Sequence, residues 1–115
     1  MAANISDTWA WVIAALDAAG LRAVDDPRNV QPPCVLVDPP SVIANQSQTL
    51  VQLQFPISVI APPPGNRDAM MWMLDAVDDV IGALPISNGD PGSYNLGGTD
   101  LPSYNLTATI QIRRQ

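Results

Sequence analysis

A chain of 115 residues that is 47% hydrophobic and only 14% charged reads as one folded domain, 1–115, too apolar for intrinsic disorder and too sparsely charged for a solvated rod. All eleven acids are Asp and all five bases are Arg, and the net charge of −6 excludes a general attraction for nucleic acid or anionic lipid. With no His and a single Cys34, the commonest general base, an internal disulfide and a cysteine zinc cluster are excluded as well.

In chain order, Ser6 or Asp7 caps a first helix that Gly20 ends. Trp9, Val12, Ile13 and Leu16 fall on one face of it. Leu21 to Val24 reads as a short strand and Asp25-Asp26-Pro27 as a turn. Cys34 to Val37 is a continuous apolar strand stopped by Asp38-Pro39-Pro40, with Cys34 a small core residue. Ser41 to Ser47 is ambiguous, with Val42 and Ile43 able to start another strand. Thr49 to Ala61 alternates clearly: Val51, Leu53, Phe55, Ile57 and Val59 share one face, and Gln52, Gln54 and Ser58 the other. Pro56 has no N–H to give a neighbour, which predicts an edge strand or a bulge.

After the stiff break Pro62-Pro63-Pro64-Gly65, Asn66 caps a second helix over Arg67 to Leu84. Met70, Met73, Leu74, Val77, Ile81 and Leu84 form its expected core stripe. Ile86 to Ser93, rich in Gly, Asp, Asn and Pro, reads as a loop. Tyr94 to Leu96 and Leu101 to Arg113 read as a hairpin around Gly97-Gly98-Thr99-Asp100. The order predicts an α+β fold, with two helices packed on one face of a mainly antiparallel β-sheet. No segment is long and apolar enough to span a bilayer, and the amphipathic N-terminus lacks the basic start of a secretory signal, so a cytosolic product is expected.

Chemistry has little raw material here. Asp75, Asp78 and Asp79 lie within one helical turn of each other and are able in principle to gather a divalent cation. No other oxygen-rich loop is aimed at them, and a solvated helix face is the better reading. Gly97-Gly98 lacks the strand–turn–helix setting of a phosphate loop. No Ser or Cys has a His to activate it. Catalytic, cofactor-binding and metal-ligating residues are therefore expected to be none, and an enzyme is not expected.

The tryptophans say more. Trp11 points away from Trp9 and Leu16, among Ala14, Ala15 and Ala18, so the first helix is apolar nearly all round. Trp72 centres a face made by Asp68, Asp75, Ala76 and Asp79, opposite most of the expected core stripe. Each indole either lies flat on its own domain or meets another protein. Trp11, Ala14, Ala18 and Trp72 are the candidate subunit-interface residues.

Three stretches carry a family likeness: the opening helix running into ALDAAGLRAVDDPRNVQPPCVLVDPPSV, then FPISVIAPPPGNRDAMMWMLDAVDDVIGALP, then the closing YNLGGTDLPSYNLTATIQIRR. With the length and element order, they make the chain resemble the short tail terminator proteins of long, non-contractile-tailed bacteriophages, especially those infecting actinobacteria. The resemblance implies helices packed on a sheet and a homohexameric ring at the head-proximal end of the tail tube. The ring would stop addition of tube subunits and join the tail to the head. The implied partners are further copies of the chain, the major tail tube protein and the head–tail connector or stopper protein. Genomic DNA would pass through without specific binding, along a channel lined by some of Asp25, Asp26, Asp75, Asp78 and Asp79. No cofactor and no membrane are implied, and the protein would reside in the virion after assembly in the host cytoplasm. A head-completion or stopper protein, or another minor neck protein, is the nearest alternative, and a small acidic inhibitor of a host protein a remoter one.

Overall fold

The structure, a computed structural model, describes residues 4–44, 50–63 and 66–113. The end of the Ser41–Ser47 stretch, and Pro64 and Gly65 of the proline break, lie outside the described residues.

Helix α1 spans Ile5–Ala18 and is capped by Asn4, whose side chain accepts from the Asp7 N–H at 2.7 Å. The start is thus earlier than Ser6 or Asp7, because an Asn cap at this point also brings Ile5 into the core. The helix closes as expected at Gly20. This residue takes φ 87°, and the N–H groups of Gly20 and Leu21 bond back to the Asp17 and Leu16 carbonyls, an ending that glycine's lack of a Cβ permits. Val12 and Leu16 are fully buried, with Trp9 and Ile13 packed beside them. Thr8 is buried too, its hydroxyl satisfied by the Asn4 carbonyl at 2.9 Å.

Strands β1 (Ala23–Val24), β2 (Cys34–Val37), β3 (Ser41–Ala44) and β4 (Leu50–Ile60) follow, then helix α2 (Arg67–Ala83) and the hairpin β5 (Ile86–Leu96) and β6 (Thr99–Arg113). They form one six-stranded sheet in the order β1-β2-β4-β6-β5, with β3 also on β4. Every pairing is antiparallel except β1 with β2. Both helices cover one face. The main core joins Val12 and Leu16 of α1 and Met73, Val77 and Val80 of α2 to Val51, Leu53, Phe55, Ile57 and Val59 of β4. A smaller cluster on the other face gathers Val30, Cys34, Leu36, Ile60 and Leu101. The α+β expectation holds.

Three expectations are corrected. Strand β4 is central, not an edge, and it is unbroken at Pro56. Its neighbour is broken instead: β2 ends at Val37 opposite Ile57, and β3 begins at Ser41 opposite Gln54. Pro56 faces the gap at Pro39-Pro40, where its carbonyl still accepts from the Asp38 N–H at 3.1 Å. The stretch Ile86–Ser93 is strand, not loop. The long, well-patterned β6 templates it, and Pro91 is tolerated because β5 is the sheet edge. The turn is accordingly only Gly97-Gly98, both at positive φ, with Thr99 and Asp100 already in β6.

The third correction concerns α2. Asn66 caps it as expected, accepting from the Ala69 N–H at 3.0 Å. Its buried residues are Ala69, Met73, Ala76, Val77 and Val80, with Leu84 just past its end. Met70, Leu74 and Ile81, expected in the core, are 44%, 47% and 53% exposed. The buried stripe is turned by about 60° around the helix axis from the expected one. The sheet face beneath is already filled by large side chains, so the helix approaches through its two alanines.

Candidate subunit interface

The interface candidates lie in two different settings. Trp11 is 43% exposed, and Ala14 and Ala18 are exposed with it, so one side of α1 is an apolar stripe open to solvent. The first helix is therefore not buried on a second side by its own chain. Trp72 differs. It is half-buried and packs against the main core, beside buried Ala76. Its flank of α2 is turned toward the α1–β1 connection rather than away from the domain.

Between that flank and the connection lies an open cleft of about 440 Å³, lined by Gly20, Leu21, Arg22 and Pro33 on one side and by Trp72, Asp75, Ala76 and Asp79 on the other. Arg22 is directed elsewhere, donating to the Gln31 carbonyl at 3.2 Å and the Asn29 carbonyl at 3.5 Å. Asp78 points away from the cleft, and among the described residues no group of three or more His, Cys, Asp or Glu is placed to hold a metal ion. The three helix carboxylates are all exposed, on a solvated face.

Two places show an electrostatic perturbation. Asp26 caps the 3₁₀ turn Pro27–Asn29 through the Arg28 N–H and pairs with the Arg28 guanidinium at 2.9 Å. These hydrogen bonds hold its carboxyl below the ordinary range and raise the guanidinium. Burial pushes the Cys34 thiol up, as expected of an inert core cysteine.

The feature that sequence reasoning missed is the outer flank of α2. Met70, Leu74 and Ile81, with Met71 at 47% exposure, leave it apolar and open. It sits on the opposite side of the helix from Trp72 and runs into a shallow groove of about 260 Å³, whose apolar walls include Val77, Ile86, Tyr104 and Leu106. The signal was present in the composition of α2. Eleven of its positions, including Trp72 and three alanines, are apolar, more than one buried face holds. A third surface is mainly uncharged: Gln52, Gln54 and Ser58 of β4 and Asn105, Thr107, Thr109 and Gln111 of β6 occupy the sheet face away from the helices, bordered by Asp90 opposite Asn105 and by Arg113. Ser58 there donates to Asn105 at 3.3 Å.

No family model matches the sequence, and no curated protein is significantly similar to it.

Proposed function

We propose that this protein is a structural subunit of a bacteriophage particle, a tail terminator that closes the head-proximal end of the tail tube and joins it to the head. The likeness of its sequence to that family is what suggests this identity. The observation that carries the mechanism is the pair of open apolar stripes, Trp11 with Ala14 and Ala18 on α1, and Met70 with Leu74 and Ile81 on α2. An acidic domain of this size keeps such stripes only where another protein covers them.

A growing tube end presents an unsatisfied subunit-binding surface, so polymerisation continues until something covers it. A cap must match the tube on one side and offer a different surface on the other. A sheet carrying two helices does this by shape alone, with helices, strand edges and loop ends facing different partners. Polymerisation is stopped by occupancy, with no covalent step.

The test is a phage from which this gene product is removed. The expected phenotype is DNA-filled heads beside unattached, often overlong tubes, with joining restored when purified protein is added to the extract. Normal-length tails already joined to heads would overturn the reading. Normal-length tails left unjoined would place the protein at head completion instead.

A further inference from the structure

The two open stripes are placed so that they cannot meet within one chain. Trp72 and its flank of α2 border the α1–β1 connection. Met70, Leu74 and Ile81 are on the other flank, whose Ile81 end borders the β5–β6 hairpin. We propose that these stripes bind each other between copies: the exposed side of α1 in one subunit docks on the outer flank of α2 in the next. The inference rests on the ring reading above and names its contact.

The pattern of the stripes supports this pairing. On α1 the side chains run Asp7, Trp11, Ala14, Ala18, about 16 Å along the axis. On α2 they run Arg67, Met70, Leu74, Ile81, about 21 Å. Each stripe is headed by one charge, and the two charges are opposite. Asp7 and Arg67 are both exposed, and neither is ion-paired among the described residues, where the one ion pair is Arg28 with Asp26. With the helices parallel, the Asp7 carboxylate meets the Arg67 guanidinium. One turn further on, the Trp11 indole then lies between Met70, Met71 and Leu74. Thioethers adapt to an aromatic ring and attract it. Ala14 and Ala18 present almost no bulk, which lets the two backbones close together beside Leu74 and Ile81. Asp78 projects between the directions of Leu74 and Met71, past the Trp11 contact and level with Ala18, whose small side chain leaves it a path to solvent.

A chain with net charge −6 repels its own copies, so self-association needs a contact that is apolar or carries opposite charges. This one has both properties. It is also heterologous, one patch meeting a different patch. Each added copy therefore leaves one free α1 stripe and one free α2 flank, until the rotation closes a ring.

Analytical ultracentrifugation of the purified chain, with circular dichroism as the check on folding, decides it. The wild type is expected to form assemblies larger than a dimer as concentration rises. Trp11→Asp and Leu74→Asp, both at exposed positions, are each expected to be folded monomers. Mixed in equal amounts, they are expected to form a two-chain species and nothing larger, because the first keeps an intact α2 flank and the second an intact α1 stripe. Independently, Asp7→Arg should weaken association about five-fold, the scale of an exposed charge pair, and adding Arg67→Asp to the same chain should restore it. A wild type that stays monomeric, a mixture that stays monomeric, or charge variants without rescue would overturn the proposal. Wild-type assemblies unaffected by either apolar substitution would also overturn it, while leaving a terminator ring built on other surfaces standing.

Discussion

Trp9 and Trp11 are two positions apart in the chain and about 160° apart around α1. The Trp9 indole N–H donates to the Val37 carbonyl at 3.2 Å while its ring packs on the core. Trp11 stands 43% exposed. Truncating Trp9 to Ala removes apolar contact and leaves a carbonyl short of its donor, so urea unfolding should report a loss of about 2–3 kcal/mol. The same change at Trp11 should stay within about 0.5 kcal/mol. Trp72, packed against the core beside Ala76, belongs with Trp9: Trp72→Asp should lower stability as well as any assembly. Ser103 makes the opposite case. Its hydroxyl is buried without a hydrogen-bond partner, so Ser103→Ala should raise stability by about 1 kcal/mol, read as a higher urea midpoint with an unchanged slope. Cys34 bears on pH. Burial raises its thiol, which favours the neutral form in the folded state. The stability it protects is fully present below the free-thiol range near about 8.5 and is lost as pH rises through the raised native value. A thiol reagent should accordingly react slowly with native protein and fast in denaturant.

Strand β5 shows why an element can be invisible locally and still form. Ile86–Leu96 holds Gly89, Pro91, Gly92 and Asp90, all poor strand formers, and its own pattern reads as loop. The strand exists because β6 offers a continuous ladder and because two neighbours demand glycine. A Cβ at Gly89 would sit 2.3 Å from Leu106 Cδ2, and one at Gly92 would sit 2.6 Å from Asn105 Nδ2. The two sites differ in what is able to yield. Leu106 is 3% exposed and held by the core, whereas Asn105 is exposed and held by one long hydrogen bond from Ser58, so it yields at little cost. Gly89→Ala should therefore cost about 1–3 kcal/mol and Gly92→Ala within about 0.5 kcal/mol, compared by thermal or urea unfolding. Elements with their own periodicity were legible in sequence: α1, β2, β4 and β6, the Asn66 cap and the glycine turn. What was not legible depended on partners distant in the chain. The gap between β2 and β3 lets Pro56 sit in a central strand. The filled sheet face turns α2 onto Ala69 and Ala76. The interface candidates divided in the same way. Trp11 with Ala14 and Ala18 was readable because a helix that is apolar all round cannot bury every side. The open flank of Met70, Leu74 and Ile81 was hidden, because large apolar side chains were assigned to the core ahead of alanines.

At the scale of the whole molecule, charge is distributed in a way that bears on passage of nucleic acid. The chain carries −6, with five arginines against eleven aspartates, and three of those arginines are engaged or stand beside an acid. Arg28 is paired with Asp26, Arg22 is held by the Gln31 and Asn29 carbonyls, and Arg67 stands next to Asp68 at the start of α2. Tight duplex binding needs several phosphates neutralised together, each contributing through released counterions. Five arginines set against eleven aspartates supply little of this. The sheet face away from the helices is mainly amides and hydroxyls, Gln52, Gln54, Asn105, Thr107 and Gln111 among them, with Asp90 and Arg113 at its borders. Such a surface neither attracts nor strongly repels a phosphate backbone, whereas Asp75, Asp78 and Asp79 on α2 repel it. In the proposed ring, whichever of these surfaces lined the channel, transit would be unhindered by adhesion. The purified protein should thus leave duplex DNA unretarded in a gel-shift experiment at about 0.15 M salt, where the screening length is about 8 Å. Lowering the salt should not create binding, because the long-range term between chain and duplex is repulsive and grows as screening falls. Retardation that strengthens steeply at low salt would show a cationic surface and contradict this account of the channel.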